Sequence, residues 1–149
     1  MKALLIILFF FGFPLIGYSY IPMENNIDSS SNVISFGYGK AGRISDPVLV
    51  IGNLIRNKDY NSIRTLINSD NPAIKYLAIL TCLTLDKKGI IELDKIELGI
   101  IELIKNSQSV VKYWSGCTIK DTFTIQQLFQ EEKNTVNKSI NNWLKRQIK

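Results

Sequence analysis

Residues 68–85, NSDNPAIKYLAILTCLTL, decide the fold because they join a clear helix start to an unusually apolar helix. Asn71 can accept hydrogen bonds from the free N–H groups of a first helical turn, and Pro72 suits the first helical position because it has no N–H. After that turn the only polar side chains are the hydroxyls of Tyr76, Thr81 and Thr84. We therefore predict a helix over residues 72–85 that neighbouring helices bury on several sides.

The rest of the chain supplies neighbours for this helix. In several further segments the apolar residues recur every three or four positions, which is the period of an α-helix. We predict these helices over residues 47–57, 60–68, 95–106, 121–132 and 134–149. The helix at 95–106 carries Ile96, Ile100, Leu103 and Ile104 on one face.

Two parts of this helical region are similar in sequence. Residues 65–76, TLINSDNPAIKY, align with residues 102–113, ELIKNSQSVVKY, at a constant offset of 37 residues, from 65 to 102. The identical pairs are Leu66 and Leu103, Ile67 and Ile104, Lys75 and Lys112, and Tyr76 and Tyr113. Helix pairs repeated at this spacing are typical of α-helical repeat proteins, whose units bury their apolar faces by stacking on each other.

The start of the central helix resembles the HEAT-type repeat, whose first helix often begins D-x-P-x-V-R followed by a small residue. The equivalent positions here are Asp70, Pro72, Ile74, Lys75 and Ala78. The resemblance covers residues 46–114, roughly two units. In the second unit Ser109 stands where the first has Pro72, and Gly116 cuts the second helix short.

This resemblance implies an all-α fold, a short stack of antiparallel helical hairpins similar to HEAT or armadillo proteins. It also implies a binding role rather than a catalytic one. The alternative is a pair of similar hairpins without a true stack, since about three units are needed for a stable one.

The N-terminus has the pattern of an export signal. Lys2 is followed by the apolar run ALLIILFFFGFPLI, which is shorter than the roughly 20 residues that a membrane span needs. Gly17 and Ser19 supply small residues three and one before a cleavage point that would make Tyr20 the first residue of the mature chain. We predict a cleaved signal peptide at 1–19, with an uncleaved anchor as the alternative, and a periplasmic or secreted protein.

Residues 20–45 are rich in Ser, Asn and Gly, so we predict a flexible or extended arm before a helical domain at 46–149. The arm contains one β-prone piece, residues 33–36, and GYGKAG at 37–42, which satisfies the pattern G-x-G-x-x-G. A dinucleotide site needs that pattern in a strand–turn–helix unit followed by a parallel strand, and only helices are predicted to follow. We predict no nucleotide and no other cofactor.

Composition limits the chemistry open to this chain. Of its 149 residues 46% are hydrophobic and 21% are charged, enough to bury a core in one domain. The net charge of +5 is spread along the chain, so nucleic acid is not a predicted partner. The sequence has no histidine, which removes the commonest general base and most zinc and haem ligation. We predict neither catalytic residues nor metal ligands.

Cys82 and Cys117 are the two cysteines of the chain. In an exported protein a disulfide is more common than a persistent free thiol, so we predict that they pair. In a stack of repeats, however, Cys117 would correspond to Leu80, and the two Cα atoms could then lie too far apart to bridge. The alternatives are a small buried apolar residue at Cys82 and a reactive thiol at Cys117.

The two similar units each place a cation beside an aromatic ring. Lys75, Tyr76, Lys112, Tyr113 and Trp114 are therefore candidates for a line of partner-binding residues, with both tyrosines at the edge of the core as the alternative. We predict an exported, non-catalytic helical-repeat protein that binds or scaffolds a protein partner from the envelope or the secreted fraction.

Two other functions stay open. Residues 134–149 form a basic amphipathic helix with an apolar stripe, and such a helix can lie on an anionic membrane. We prefer docking of that stripe on the protein's own core, because its width is ordinary for a core helix. The second alternative is an enzyme without a recognisable motif.

Overall fold

The computed structural model describes residues 32–37, 39–131 and 134–148. Over these residues the chain forms six α-helices and a three-stranded mixed sheet, so the predicted all-α stack of helical hairpins is wrong. The elements are β1 (Val33–Ile34), α1 (Asp46–Arg56), α2 (Tyr60–Thr65) with a 3₁₀ turn (Leu66–Asn68), α3 (Pro72–Lys87), α4 (Lys95–Lys105), β2 (Val110–Ser115), β3 (Thr118–Thr124), α5 (Ile125–Gln130) and α6 (Thr135–Gln147). The signal peptide predicted at 1–19 and the first part of the arm predicted at 20–45 lie outside the described residues.

The predicted central helix is confirmed as α3. The side-chain oxygen of Asn71 accepts hydrogen bonds from the N–H groups of Ala73 and Ile74 at 2.9 and 3.1 Å, which caps the helix as its sequence predicts. α1, α2, the 3₁₀ turn, β2 and α6 all pack against α3. One strip is less covered, because Leu80 and Leu83 are only partly buried.

The sheet joins the arm to the second half of the chain. β2 and β3 form an antiparallel hairpin around Gly116, whose φ of +67° suits a glycine in the turn. β1 runs parallel to β2 on its other side, with Val33 opposite Lys112 and Ile34 opposite Tyr113. The β-prone piece of the arm therefore forms a strand at one edge of the sheet, and Ile34 is fully buried.

Two segments predicted as helices are strands. The segment after Ser109, which aligns with the start of α3, forms β2, and the helix predicted from residue 121 begins only at Ile125, after β3. Buried Val111 and Tyr113 alternate with less buried neighbours, which is the period of a strand, and no proline starts a helix here. The resemblance to a HEAT-type repeat stays a prediction, while the all-α fold that it implied is wrong.

α4 is tied to α2 by an ion pair. Arg64 Nε and Nη2 donate to Glu97 Oε1 and Oε2 at 2.6 and 2.5 Å, and Glu97 also accepts from the N–H of Asp94 in a capping box. The hydrogen bonds from the guanidinium hold the pKa of Glu97 below its ordinary value of 4.5. Ile101 is the α4 residue that is buried in the core.

We expect this ion pair to stabilise the fold above pH 4.5 and to stop doing so in acid. Because the pKa of Glu97 is lower in the folded than in the unfolded chain, its contribution is lost as the pH falls through the folded-state pKa. Denaturant titrations should show a gap in unfolding free energy between wild type and Glu97→Gln at neutral pH that shrinks towards about pH 3. An equal gap at both pH values would contradict a role for the charge.

Two leucines of α3 should respond differently to truncation. Leu77→Ala removes atoms from a fully buried position and should cost about 2–5 kcal/mol of unfolding free energy, because it leaves a cavity. Leu80→Ala makes the same change on the partly exposed strip of the same helix and should cost less than half as much. Urea titrations followed by circular dichroism measure both values, and equal losses would show that the strip is covered.

Candidate functional site

The five residues predicted to bind a partner do not form one surface. Tyr76 is fully buried in α3, and Tyr113 is buried in β2, where its hydroxyl lies 3.2 Å from Ser139 Oγ. Lys75, Lys112 and Trp114 are partly exposed. Because both tyrosines are buried, the five residues do not form a continuous exposed line. Both tyrosines are core residues.

Asn137 is a buried polar residue that joins three helical segments. The Tyr76 hydroxyl donates a hydrogen bond to Asn137 Oδ1, and Asn137 Nδ2 donates to the carbonyl oxygens of Leu128 and Glu131. Burial raises the pKa of Tyr76 well above its ordinary value, so the hydroxyl stays a donor at neutral pH. Asn137-Lys138-Ser139 matches the N-glycosylation pattern N-x-S/T, but the amide of Asn137 is bonded inside the core, so it is not accessible in the folded protein.

Sequence reasoning missed this role of Asn137, although a signal for it exists. The residue lies three positions before Ile140 and seven before Leu144, on the same face of α6. A polar side chain in the middle of an apolar face is a sign of a buried hydrogen bond.

Both cysteines are free thiols in the structure. Cys82 is fully buried in α3, whereas Cys117 is exposed in the turn between β2 and β3. Burial raises the pKa of the Cys82 thiol to about 12. No bond joins the two sulfur atoms in the structure, so the disulfide predicted from the sequence has no support there, and the reactivity of the thiols tests it.

We expect native protein to be alkylated at Cys117 and not at Cys82. Cys117 is accessible, whereas Cys82 is both inaccessible and protonated at neutral pH, and only the thiolate reacts. Mass measurement after alkylation should show one label in native protein, two in unreduced guanidinium, and none in native Cys117→Ser. Absence of labelling in unreduced, denatured wild type would show instead that the two cysteines are bonded.

The G-x-G-x-x-G segment lies between β1 and α1, but its backbone N–H groups are bonded to other backbone groups of the protein. The N–H of Gly39 donates to the carbonyl of Gly116 at 2.7 Å, and the N–H of Gly42 donates to the carbonyl of Gly39 at 3.3 Å. A phosphate cradle needs such N–H groups to point at the ligand. This loop instead supports the turn between β2 and β3.

A groove runs between α3 and α6, which lie side by side in the same direction. Tyr76 near the start of α3 bonds Asn137 near the start of α6, and Lys88 at the end of α3 donates to the carbonyl of Ile148 at the end of α6 at 2.7 Å. Two adjoining depressions of about 560 and 360 Å³ form this groove, and they share Leu80, Leu83 and Asn141. From residue 76 to residue 88 the helix rises about 18 Å, which sets the length of the groove.

The floor of the groove is apolar and its charged side chains are basic. The apolar residues of the floor are Leu80, Leu83, Leu128, Phe129 and Leu144. Lys87, Lys88 and Lys145 lie at one end and Lys105 lies at the other, and no acidic residue is among the described residues that line the groove. Lys105 Nζ is 5.7 Å from the centre of the Phe129 ring and 2.5 Å from a carboxylate oxygen of Glu102. We call this feature the α3–α6 groove.

The basic amphipathic helix predicted at the C-terminus is α6, and its apolar stripe faces the core. The buried stripe consists of Val136, Ile140, Trp143, Leu144 and Ile148. Lys138, Lys145 and Arg146 are exposed. Contact between this stripe and a membrane would require α6 to leave the core.

Neither a metal-binding cluster nor similarity to a known protein indicates a function for the groove. Within residues 32–37, 39–131 and 134–148, no cluster of three or more Cys, Asp or Glu side chains could hold a metal ion. No helix in the same ranges has the length and apolarity to cross a membrane. Comparison with protein-family models, with curated proteins and with solved structures gave no match to this chain.

Proposed function

We propose that this protein is a non-catalytic binding protein whose α3–α6 groove takes an acidic helical segment of a protein partner. One observation supports this most directly: Leu80 and Leu83, on the central helix of the fold, lie open in a groove edged by lysines. A helix that is apolar all round normally buries every face, so an open strip on it favours a surface used in binding.

The shape of the groove favours a helix as its occupant. Along α3 its lining residues, Tyr76, Leu80, Leu83, Thr84 and Lys87, recur at three- and four-residue spacing on one face. An amphipathic helix buries its own apolar face in such a groove by placing side chains at the same spacing. Three turns of helix extend about 16 Å, which fits the groove length of about 18 Å.

The charges favour an acidic segment. Lys87 and Lys145 lie in the last turns of α3 and α6, so both cations are at the same end of the groove. At the other end the charge of Lys105 is partly balanced by Glu102. A ligand with carboxylates mainly at one end of an apolar stretch therefore complements the groove, and opposite charges would also speed its association.

We propose that the partner is an envelope or secreted protein, because residues 1–19 have the pattern of an export signal. A protein segment is favoured over a small substrate, since the groove is open along its length and offers hydrogen-bonding and apolar contacts rather than a catalytic cluster.

A displayed library of random 16-residue peptides can test the groove. Selection on the wild type, with an excess of Leu83→Asp protein to remove peptides that bind elsewhere, should yield amphipathic sequences rich in Asp and Glu. The double variant Lys87→Glu with Lys145→Glu should bind the best peptide about tenfold more weakly, since two exposed ion pairs contribute about 0.7 kcal/mol each. The difference in affinity between wild type and the double variant should shrink at high salt, which screens exposed charges.

Lys120→Glu is the matched control, because Lys120 is exposed on β3 and does not line the groove. We expect it to bind the peptide as the wild type does. Peptides that bind wild type and Leu83→Asp protein equally would contradict the groove, and selected peptides without excess acid would contradict the role of the lysines. Turnover of a small substrate by purified protein would contradict the non-catalytic function.

A further inference from the structure

α4 carries an apolar surface that is separate from the α3–α6 groove. Ile96 and Leu103 are 74% and 78% exposed, more than any other large apolar residue in the described part of the chain. They are seven residues apart, which is about two helical turns, so they lie on the same side of α4. Gly99 and the partly buried Ile100 lie between them. We call these four residues the α4 face.

The helix that carries this face is well anchored. Its N-terminus has a complete capping box between Asp94 and Glu97, and Glu97 is bonded to Arg64 of α2. Ile101 packs into the core on the opposite side. The α4 face is therefore not part of a frayed helix end. Highly exposed apolar side chains grouped on an ordered helix are a candidate contact surface.

We propose that the α4 face binds a second copy of this chain, with the two α4 helices antiparallel across a two-fold axis between Gly99 and Ile100. Ile96 of each copy then faces Leu103 of the other. Such a pairing is self-complementary, because the same patch supplies both halves of the contact. This inference concerns a different surface from the groove and does not depend on the proposed partner.

The charges at the edge of the face select this arrangement. Lys95 and Glu102 are exposed and seven residues apart, so they lie along the same edge of α4. A two-fold axis keeps that edge on the same side and reverses its direction. Lys95 of each copy then comes beside Glu102 of the other, about 3 Å apart along the helix axis. A parallel pairing about a two-fold axis along the helices would instead bring opposite edges together, so Lys95 and Glu102 would not meet across the interface.

Gly99 allows the two backbones to approach each other. A Cβ atom added at Gly99 would meet nothing within 4 Å, so the space beside it is open. In the antiparallel pair the side chain of Ile100 from the second copy lies over Gly99. An apolar side chain packed over a glycine brings two helices close together, which increases the area that they bury.

Sedimentation equilibrium of the purified protein tests the pairing. The wild type should show a concentration-dependent rise in mass from monomer to dimer, and Leu103→Glu should raise the dimer dissociation constant by more than about tenfold. At concentrations where both proteins are monomeric the melting temperature should not change, because Leu103 is mostly exposed in the single chain. Ile119→Glu is the matched control, since Ile119 is an exposed apolar residue on β3. It should dimerise as the wild type does.

Exchange of the edge charges tests the direction of the pair. Lys95→Glu alone and Glu102→Lys alone should each weaken the dimer, and the variant with both changes should restore it. A wild type that is monomeric at all concentrations, or a dimer that survives Leu103→Glu, would overturn the proposal. Failure of the double exchange to restore the dimer would overturn the antiparallel arrangement.

A cross-link gives a second test of the dimer, and this test does not rely on a variant that weakens the contact between the two copies. Gly99→Cys, in a Cys117→Ser background, places one thiol from each copy beside the two-fold axis, and within one copy the added Cβ meets no other atom within 4 Å. Oxidation should produce a covalent dimer of this variant. Asn61→Cys in the same background, an exposed position on α2, should stay monomeric. Equal cross-linking of both variants would show random collision and overturn the inference.

Discussion

The fold depends on the burial of α3. This helix is apolar on nearly every side, so elements from the whole described chain must surround it, and α1, α2, β2 and α6 do so. Inside that packing the Tyr76 hydroxyl must find a partner, because a buried polar group without one costs about 1–3 kcal/mol. Asn137 supplies it, and the bond places the start of α6 beside the start of α3. Together with the bond from Lys88 to the carbonyl of Ile148 at the other end, it accounts for the parallel alignment that opens the α3–α6 groove.

Local sequence signals predicted the helix starts well and the sheet poorly. Asn71 with Pro72 marks the start of α3, and both Asn71 and Asp94 cap their helices through bonds within three residues. These signals work because cap and helix are neighbours in the chain. β2 is different, since its parallel partner at Val33 lies far away in sequence and its alternation covers only a few residues. The similarity between the two units favoured a helix there, whereas the segment pairs with β1 on one side and β3 on the other.

The sequence did not predict the α3–α6 groove or the α4 face, for a related reason. Periodicity identifies which residues share a face, but it does not say which face another element covers. The residues predicted to share one face of a helix were Ile96, Ile100, Leu103 and Ile104. Ile100 and Ile104 pack partly against the core, whereas Ile96 and Leu103 point outward, because Ile101 and Glu97 attach the other side of α4. The groove poses the same problem. An all-round apolar helix gives no sign that Leu80 and Leu83 are the residues left open.

The two proposed surfaces share an ion pair, so they are electrostatically linked. Glu102 lies at the edge of the α4 face and is bonded to Lys105, whose ammonium lies over Phe129 at one end of the groove. In the proposed antiparallel pair Glu102 also comes beside Lys95 of the second copy, so the two lysines share its charge. The ammonium of Lys105 is then less neutralised and attracts an acidic ligand more strongly. Because a coupling between two binding events is reciprocal, a ligand that engages Lys105 strengthens the dimer by the same factor.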